Sequence, residues 1–383
     1  MRAHCAPRSL KNKIMRVLVF TNCPLDPTLG SGKTVLRWSE ALRAHGHEVK
    51  ILTPKDFELD FGVRKGWRWR LALGAWWQGA RLVRDFSPDM VEIYGGEFGW
   101  LAQRLRRRHN RPMLVAHLNG LDALSHELMH PEAPKSRNTP PHWRELDALC
   151  FSHVDRVAAL CGADADYVVQ RGWKRTAQCT VIEPGLEAEF LSPTPPTNRE
   201  HRVVFTGSWS ARKDPATVAK VMIGLLEEDA NLHFDILGAA PDAAAIQATF
   251  PEAVRGRLCV HGKLSNAEMA AVLRRARVFF FPSLYEGYGM ALAEAMACGC
   301  AAVTTATGLG ADLRHGEEAW ICPMRDVGAM QSGIRQLLRD SAFNEKISRN
   351  GQQRVQKLSW EAQGQMLTAT YVRWLTEWKG QQS

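Results

Sequence analysis

Short apolar runs alternate with longer amphipathic stretches along most of this chain. The runs Val17–Thr21, Val49–Thr53, Met90–Tyr94, Met113–His117, Arg156–Leu160 and Thr180–Ile182 read as strands. They are mostly continuous rather than alternating apolar and polar, as expected of parallel strands buried on both faces. Between them lie helical stretches, with Thr34–Ala44 joining the first two. The segment Leu191-Ser-Pro-Thr-Pro-Pro-Thr-Asn198 breaks the pattern as a proline-rich linker. The plan then restarts at 201–206 and continues through His233–Leu237, Leu258–His261, Val278–Phe281, Ala301–Thr305 and Ala319–Cys322. Strand–helix alternation of this kind predicts doubly wound α/β domains, here two of similar plan. The expected divisions are an extension at 1–14, domains at 15–195 and 196–358, and a terminal helical segment at 359–383.

The densest chemistry follows the strand that ends at Phe281. The segment Pro282-Ser-Leu-Tyr-Glu-Gly-Tyr-Gly-Met-Ala-Leu-Ala-Glu-Ala-Met-Ala-Cys-Gly299 supplies a glycine turn and then a helix over Met290–Ala297. Glu286 stands in the turn and Glu294 on the helix. Gly287 and Gly289 let backbone approach a ligand closely, and the helix start offers free N–H groups to an anion. Ligands of open α/β sheets sit off the carboxyl ends of strands, where this turn falls. Taken alone, two glutamates at such a turn are equally the surface of an ordinary α/β unit.

The pattern Glu286-Gly-Tyr-Gly289 followed by Glu294-Ala-Met-Ala-Cys-Gly299 resembles the Glu-x7-Glu signature of the family 4 retaining glycosyltransferases. The resemblance runs from about Met15 to Leu375 and is most specific in this element. It implies a GT-B fold, two Rossmann-like domains facing across a cleft, with the last helix crossing back onto the N-terminal domain. It implies transfer of a sugar from a UDP-sugar or GDP-sugar to a glycan or lipid-linked oligosaccharide, as in surface polysaccharide or lipopolysaccharide biosynthesis. It also implies site residues. Glu294 would hold the donor ribose and Glu286 the sugar hydroxyls, with Tyr288 in the same turn. Gly207 opens the second domain in Gly207-Ser-Trp-Ser-Ala-Arg-Lys213, where Lys213 and Arg212 would neutralise the leaving diphosphate. Ser208 occupies the place where the family usually has an arginine. Gly308 and Gly310 would pack near sugar and phosphate, and His117 would contact the donor sugar. Gly30 and Gly32 are expected in a loop facing the diphosphate, ahead of the helix from Thr34. Lys33, Asn119 and Asp122 are candidates for the acceptor side.

Several of these residues carry a second reading. Gly30-Ser-Gly-Lys-Thr34 looks like a nucleotide-binding P-loop, but Pro27 stands where its first glycine belongs. A P-loop-like hydrolase and a non-catalytic nucleotide-sugar binding protein therefore stand beside the transferase. A lone histidine such as His117 is more often structural. Asp164-Ala-Asp166 has the Asp-x-Asp form that binds metal in another glycosyltransferase fold. It lies at a helix start, where first-turn aspartates answer the helix dipole. No metal and no further cofactor are expected.

Composition narrows the setting. A chain of 383 residues with 45% hydrophobic content can form two ordinary cores. Nine cysteines without a Cys-x-x-Cys pair indicate neither a disulfide framework nor a zinc site, and a reducing cytoplasm fits them. No apolar segment is long enough to span a bilayer. The net charge is +9, concentrated in the first half. No nucleic-acid-binding signature accompanies it, so nucleic acid is not expected as a partner. Residues 63–84 interleave tryptophan with arginine, and Arg104–Arg111 add a second basic run. That mixture suits an anionic membrane surface, which would place the protein peripherally on the inner face of the cell membrane. The competing reading is a helix that buries its tryptophans on the sheet and exposes its arginines.

Overall fold

The computed structural model describes residues 14–27, 30–59, 66–129, 141–192, 199–238 and 243–382. Most of the N-terminal extension and residues 193–198 of the linker lie outside them. Among the described residues, twelve strands form two parallel sheets. The first comprises β1 (Arg16–Thr21), β2 (Glu48–Leu52), β3 (Met90–Tyr94), β4 (Met113–Leu118), β5 (Arg156–Ala159) and β6 (Cys179–Val181), in spatial order β2-β1-β3-β4-β5-β6. The second comprises β7 (Glu200–Thr206), β8 (His233–Leu237), β9 (Leu258–Val260), β10 (Ala276–Phe281), β11 (Ala301–Thr305) and β12 (Trp320–Cys322), in order β12-β11-β10-β7-β8-β9. The central strands are buried along their length, with β3, β4 and β11 sealed at every residue. This burial explains why they read as unbroken apolar runs.

Each sheet reverses its strand order once. In the first lobe the reversal lies between β1 and β3, and in the second between β7 and β10. A crevice opens at such a point, because the loops leaving the two neighbouring strands run to opposite faces of the sheet. The turns carrying Lys213 and Glu286 leave β7 and β10, so the topology alone brings them side by side. The arrangement is the GT-B fold.

The helix Trp360–Gly380 closes the chain against the first lobe. It packs on the helix Gly30–Ala44 so closely that a Cβ on Gly364 would lie 2.5 Å from that of Ala41. Ion pairs Arg156–Glu377 at 2.8 Å and Lys379–Asp89 at 2.7 Å hold its far end.

This helix also decides the role of His117. Along β4, His117 shares the face of Met113 and Val115, which the helices 30–44 and 360–380 cover. Its ring is sealed from solvent, stacks on Tyr94 at 4.8 Å between centroids and lies 4.7 Å from Trp38. Its Nε2 bonds the Tyr371 hydroxyl and lies 3.0 Å from Glu92 Oε1. Burial pushes the imidazole pKa down to about 3 and that of Glu92 up to about 7. The expectation that His117 contacts the donor sugar is therefore corrected. The pleat turns it into the core, where it ties the last helix to the first sheet. Tyr371→Phe should remove a buried hydrogen bond and cost about 1–3 kcal/mol of stability, read as a lower urea midpoint at unchanged slope.

Candidate functional site

The turn after β7 begins at Gly207, whose φ is +146°. A Cβ here would lie 2.9 Å from Cε of Lys213, so the absent side chain gives that lysine its path. Lys213 is buried and reaches Glu286, with Nζ 2.7 Å from Oε1. The ammonium also lies 4.0 Å from the centre of the Phe281 ring, at the end of β10. Arg212 approaches the second oxygen of the same carboxylate at 3.3 Å. Burial lowers the Lys213 pKa, and Glu286 opposes that shift. Two consecutive cations thus converge on one buried carboxylate. Ser208 and Ser210 meet at 3.1 Å between hydroxyl oxygens, and Arg212 is the second cation at this carboxylate.

Glu294 lies on the helix Met290–Ala297 and is likewise buried. Burial raises its pKa to about 7, opposed by the charges of Lys33 and Lys213 and reinforced by Glu187. Lys33 comes from the other lobe, on the helix Gly30–Ala44, and lies 3.9 Å from Glu187. Glu294 therefore faces the seam between the lobes, with cations from both sides.

The 285–289 turn is gripped by the first lobe. Leu121 N–H donates to the Tyr285 hydroxyl, which lies 3.3 Å from both oxygens of Asp164. Cys161 Sγ lies 3.3 Å from the Gly287 carbonyl. A Cβ on Gly287 would stand 2.7 Å from the Asn119 carbonyl oxygen, so only glycine permits this approach. Asn119, one residue past the end of β4, lies on the seam and reaches the Ser31 carbonyl at 3.4 Å.

Other expected site residues fall elsewhere. Gly30 and Gly32 do not form a loop; they open the helix Gly30–Ala44. Gly32 is wedged against the 24–26 backbone, while Gly30 faces Met290 of the other lobe. Thr34 spends its hydroxyl on the Gly30 carbonyl at 2.8 Å, so Gly30–Thr34 do not build a P-loop. Tyr288 is buried and turned from the cations, its hydroxyl 3.2 Å from Glu183, which also pairs with Arg354 at 2.7 Å. Gly308 lies beside the 286–288 turn, where Leu309 N–H donates to the Tyr288 carbonyl at 2.6 Å, whereas Gly310 packs against Thr304 and Thr305 at the end of β11. Asp122 pairs with Arg68 at 2.7 Å at the outer rim. Asp164 is not a solvated first-turn aspartate: it is buried on Tyr285, and burial raises its pKa to about 8. Tyr285 and Glu187 were not singled out in the sequence. A tyrosine directly before Glu286 in a turn at a strand's carboxyl end was the available signal for the first.

Among the described residues, Asp235, Cys259 and His261 place an oxygen, a sulfur and a nitrogen within 4.8 Å of one another. Asp235 is already bound by Arg202 at 2.6 Å and His261 at 2.9 Å, on the outer edge of the second sheet. A cavity of about 260 Å³ adjoins this group rather than the glutamates.

A two-lobed GT-B fold with a charged seam defines the class as a glycosyltransferase, and comparison with known proteins agrees. Residues 30–185 match the glycosyl transferase 4-like domain, and residues 200–340 match the glycosyl transferases group 1 family. The glycogen synthase of Mycobacterium tuberculosis is 26% identical, over 92% of this chain and 92% of that protein. The structure of sucrose-phosphate synthase from Thermosynechococcus elongatus superposes with a TM-score of 0.76 at 18% identity, covering 95% of this chain and 100% of the other. Anabaena HepE in complex with UDP and glucose gives 0.66 at 15%, covering 93% and 99%. The chain belongs to the family 4 glycosyltransferases.

The raised pKa of Glu294 sets a pH dependence. Between the ordinary carboxylate range and about 7 the folded protein holds a proton that the unfolded chain has lost, so this group's contribution to stability falls as pH rises. A ligand hydroxyl pair needs the ionised form as acceptor. Nucleotide-sugar affinity should therefore rise roughly tenfold from pH 6 to pH 8 and then level. Calorimetric titration at several pH values checks this, and Glu294→Gln should flatten the profile.

Proposed function

We propose that this protein is a retaining, metal-independent glycosyltransferase that moves a sugar from a UDP-sugar or GDP-sugar to a glycan or lipid-linked oligosaccharide. The supporting observation is the convergence of Lys213 and Arg212 on Glu286 at the reversal point of the second sheet. A diphosphate arriving there meets a desolvated Lys213 and a half-exposed Arg212, both aimed at one point. It takes them over, and Glu286 turns its oxygens to the sugar hydroxyls. Glu294 accepts from the ribose. The first turn of the helix 30–44 adds free N–H groups and a positive end opposite the phosphates.

Bond breaking places charge on the departing diphosphate and on an oxocarbenium-like carbon. Lys213 and Arg212 stabilise the first. The donor phosphate itself takes the acceptor proton, so same-face attack needs no protein base. The contacts of Tyr285, Gly287 and Cys161 across the seam favour a closed state that keeps water from the activated sugar. The reaction takes place in the cytoplasm.

The second reading, a nucleotide-sugar binding protein without turnover, is favoured only by Ser208 in place of the family's arginine. A panel of uridine, guanosine and adenosine diphosphate sugars, with and without glycan acceptors, separates the two through release of free nucleotide diphosphate. The anomeric configuration of the product, read by NMR, tests retention. Lys213→Ala should lower kcat by about 10²–10³ while changing donor affinity less. Loss of affinity alone would contradict the leaving-group role.

A further inference from the structure

The helix Trp67–Phe86 is packed in the reverse of the usual sense. Leu71, Ala72, Gly74, Ala75, Gly79, Ala80 and Val83 face the protein. Its approach is too close for larger residues: a Cβ on Gly74 would stand 1.9 Å from the Phe57 carbonyl oxygen, and one on Gly79 would stand 2.9 Å from Leu101. Most of its tryptophans and Leu73 are on the outside. Trp69, Leu73, Trp76 and Trp77, at positions i, i+4, i+7 and i+8, share one outer face. Trp76 is 40% exposed and Trp77 69%. The reading in which the tryptophans pack on the sheet is thereby overturned. Burial alone would have put these side chains inside, so the arrangement needs an external partner.

The charges around this face identify that partner. Arg81 and Arg84 continue it toward the helix end, both more than two-thirds exposed, with Asp85 between them. Arg104 covers the Trp76 ring at 5.1 Å and bonds the Trp76 carbonyl, and Arg107 and Arg108 are exposed beside it. Five arginines against one aspartate oppose a second copy of the same patch, which would bring like charges together. Tryptophan with arginine suits the head-group layer of an acidic bilayer, where the ring enters the interface and the guanidinium meets phosphate. No described helix is long and apolar enough to cross a membrane, so contact would be at the surface. The same helix reaches the outer rim of the seam: Arg68, in its first turn, bonds Asp122 at 2.7 Å and lies 3.4 Å from Glu97. Asp122 begins the helix that follows the Asn119–Leu121 loop, on the acceptor side of the seam.

We infer that the exposed tryptophan–arginine face of the helix 67–86 docks the protein on an anionic lipid surface and sets the acceptor side of the seam against it. The acceptor class is then a lipid-linked molecule resident in that bilayer. The acceptor assignment rests on the glycosyltransferase reading; the docking does not, and its test uses neither donor nor turnover.

The full chain is floated with vesicles of phosphatidylcholine alone and with about 30 mol% phosphatidylglycerol. Expected results are co-flotation with the acidic vesicles only, release by high salt, and a blue shift of tryptophan emission on binding. Arg81→Gln/Arg84→Gln and Trp76→Ser/Trp77→Ser should each weaken partitioning by at least about tenfold, with unchanged circular dichroism and unchanged donor binding. Wild-type protein that stays with the soluble fraction, or binding that both double variants retain, would overturn the docking. A concentration-dependent dimer abolished by Trp76→Ser/Trp77→Ser would overturn it in favour of a second copy. Docking with equal turnover on soluble and vesicle-bound acceptors would overturn the acceptor class alone, and absence of turnover on both would count against the glycosyltransferase reading.

Discussion

Two opposite charges held dry, Lys213 against Glu286, form the constraint on which the second lobe depends. Both side chains are only 7% exposed, so each has lost most of its hydration. Such a pair is tolerable when geometry is good and the remaining valences are met, and removing one partner alone strands the other. Gly207 makes room for the lysine, Phe281 lends its ring face, and Arg212 takes the second carboxylate oxygen. A substrate bearing both anionic phosphates and neutral hydroxyls can exchange partners with this pair without leaving a charge bare.

The seam extends that logic across the molecule. Glu294 from one lobe and Lys33 from the other influence each other through a poorly solvated space. Tyr285, Gly287 and Cys161 clasp the turn that presents Glu286. The closing helix, anchored to the first sheet through Tyr371 and His117, fixes the second lobe's last segment to the first lobe. Glu286 and the lobe contact share one turn, so the position of this carboxylate and the packing of the lobes are mechanically linked. On the outer side of the first lobe, the close approach of small residues on the helix 67–86 directs tryptophans to solvent, and Arg68 joins that surface to the seam's rim.

Much of this was legible in one sequence. Strands buried on both faces leave continuous apolar runs, and β3, β8, β10 and β11 follow those runs to within a residue or two. The Glu286–Glu294 segment stood out because a glycine turn joins a buried strand to a small-residue helix, with one carboxylate in the turn and one on the helix. Lys213 was findable from its place after the first strand of a domain. His117 was misread because a strand-end position says nothing about which helices cover that face. Gly30 and Gly32 were placed in a loop on glycine content, whereas packing against the 24–26 backbone starts the helix earlier.

The sequence by itself determined the two-lobed α/β plan, because hydrophobic period and local turn chemistry are encoded over short stretches. Only the tertiary structure decided which groups meet. Pairing Lys213 with Glu286 spans 73 residues, Tyr285 with Asp164 spans 121, and His117 with Tyr371 spans 254. It also decided that the tryptophans of the helix 67–86 face outward, since their direction is set by how closely that helix lies on its neighbours, a distance that no local pattern records.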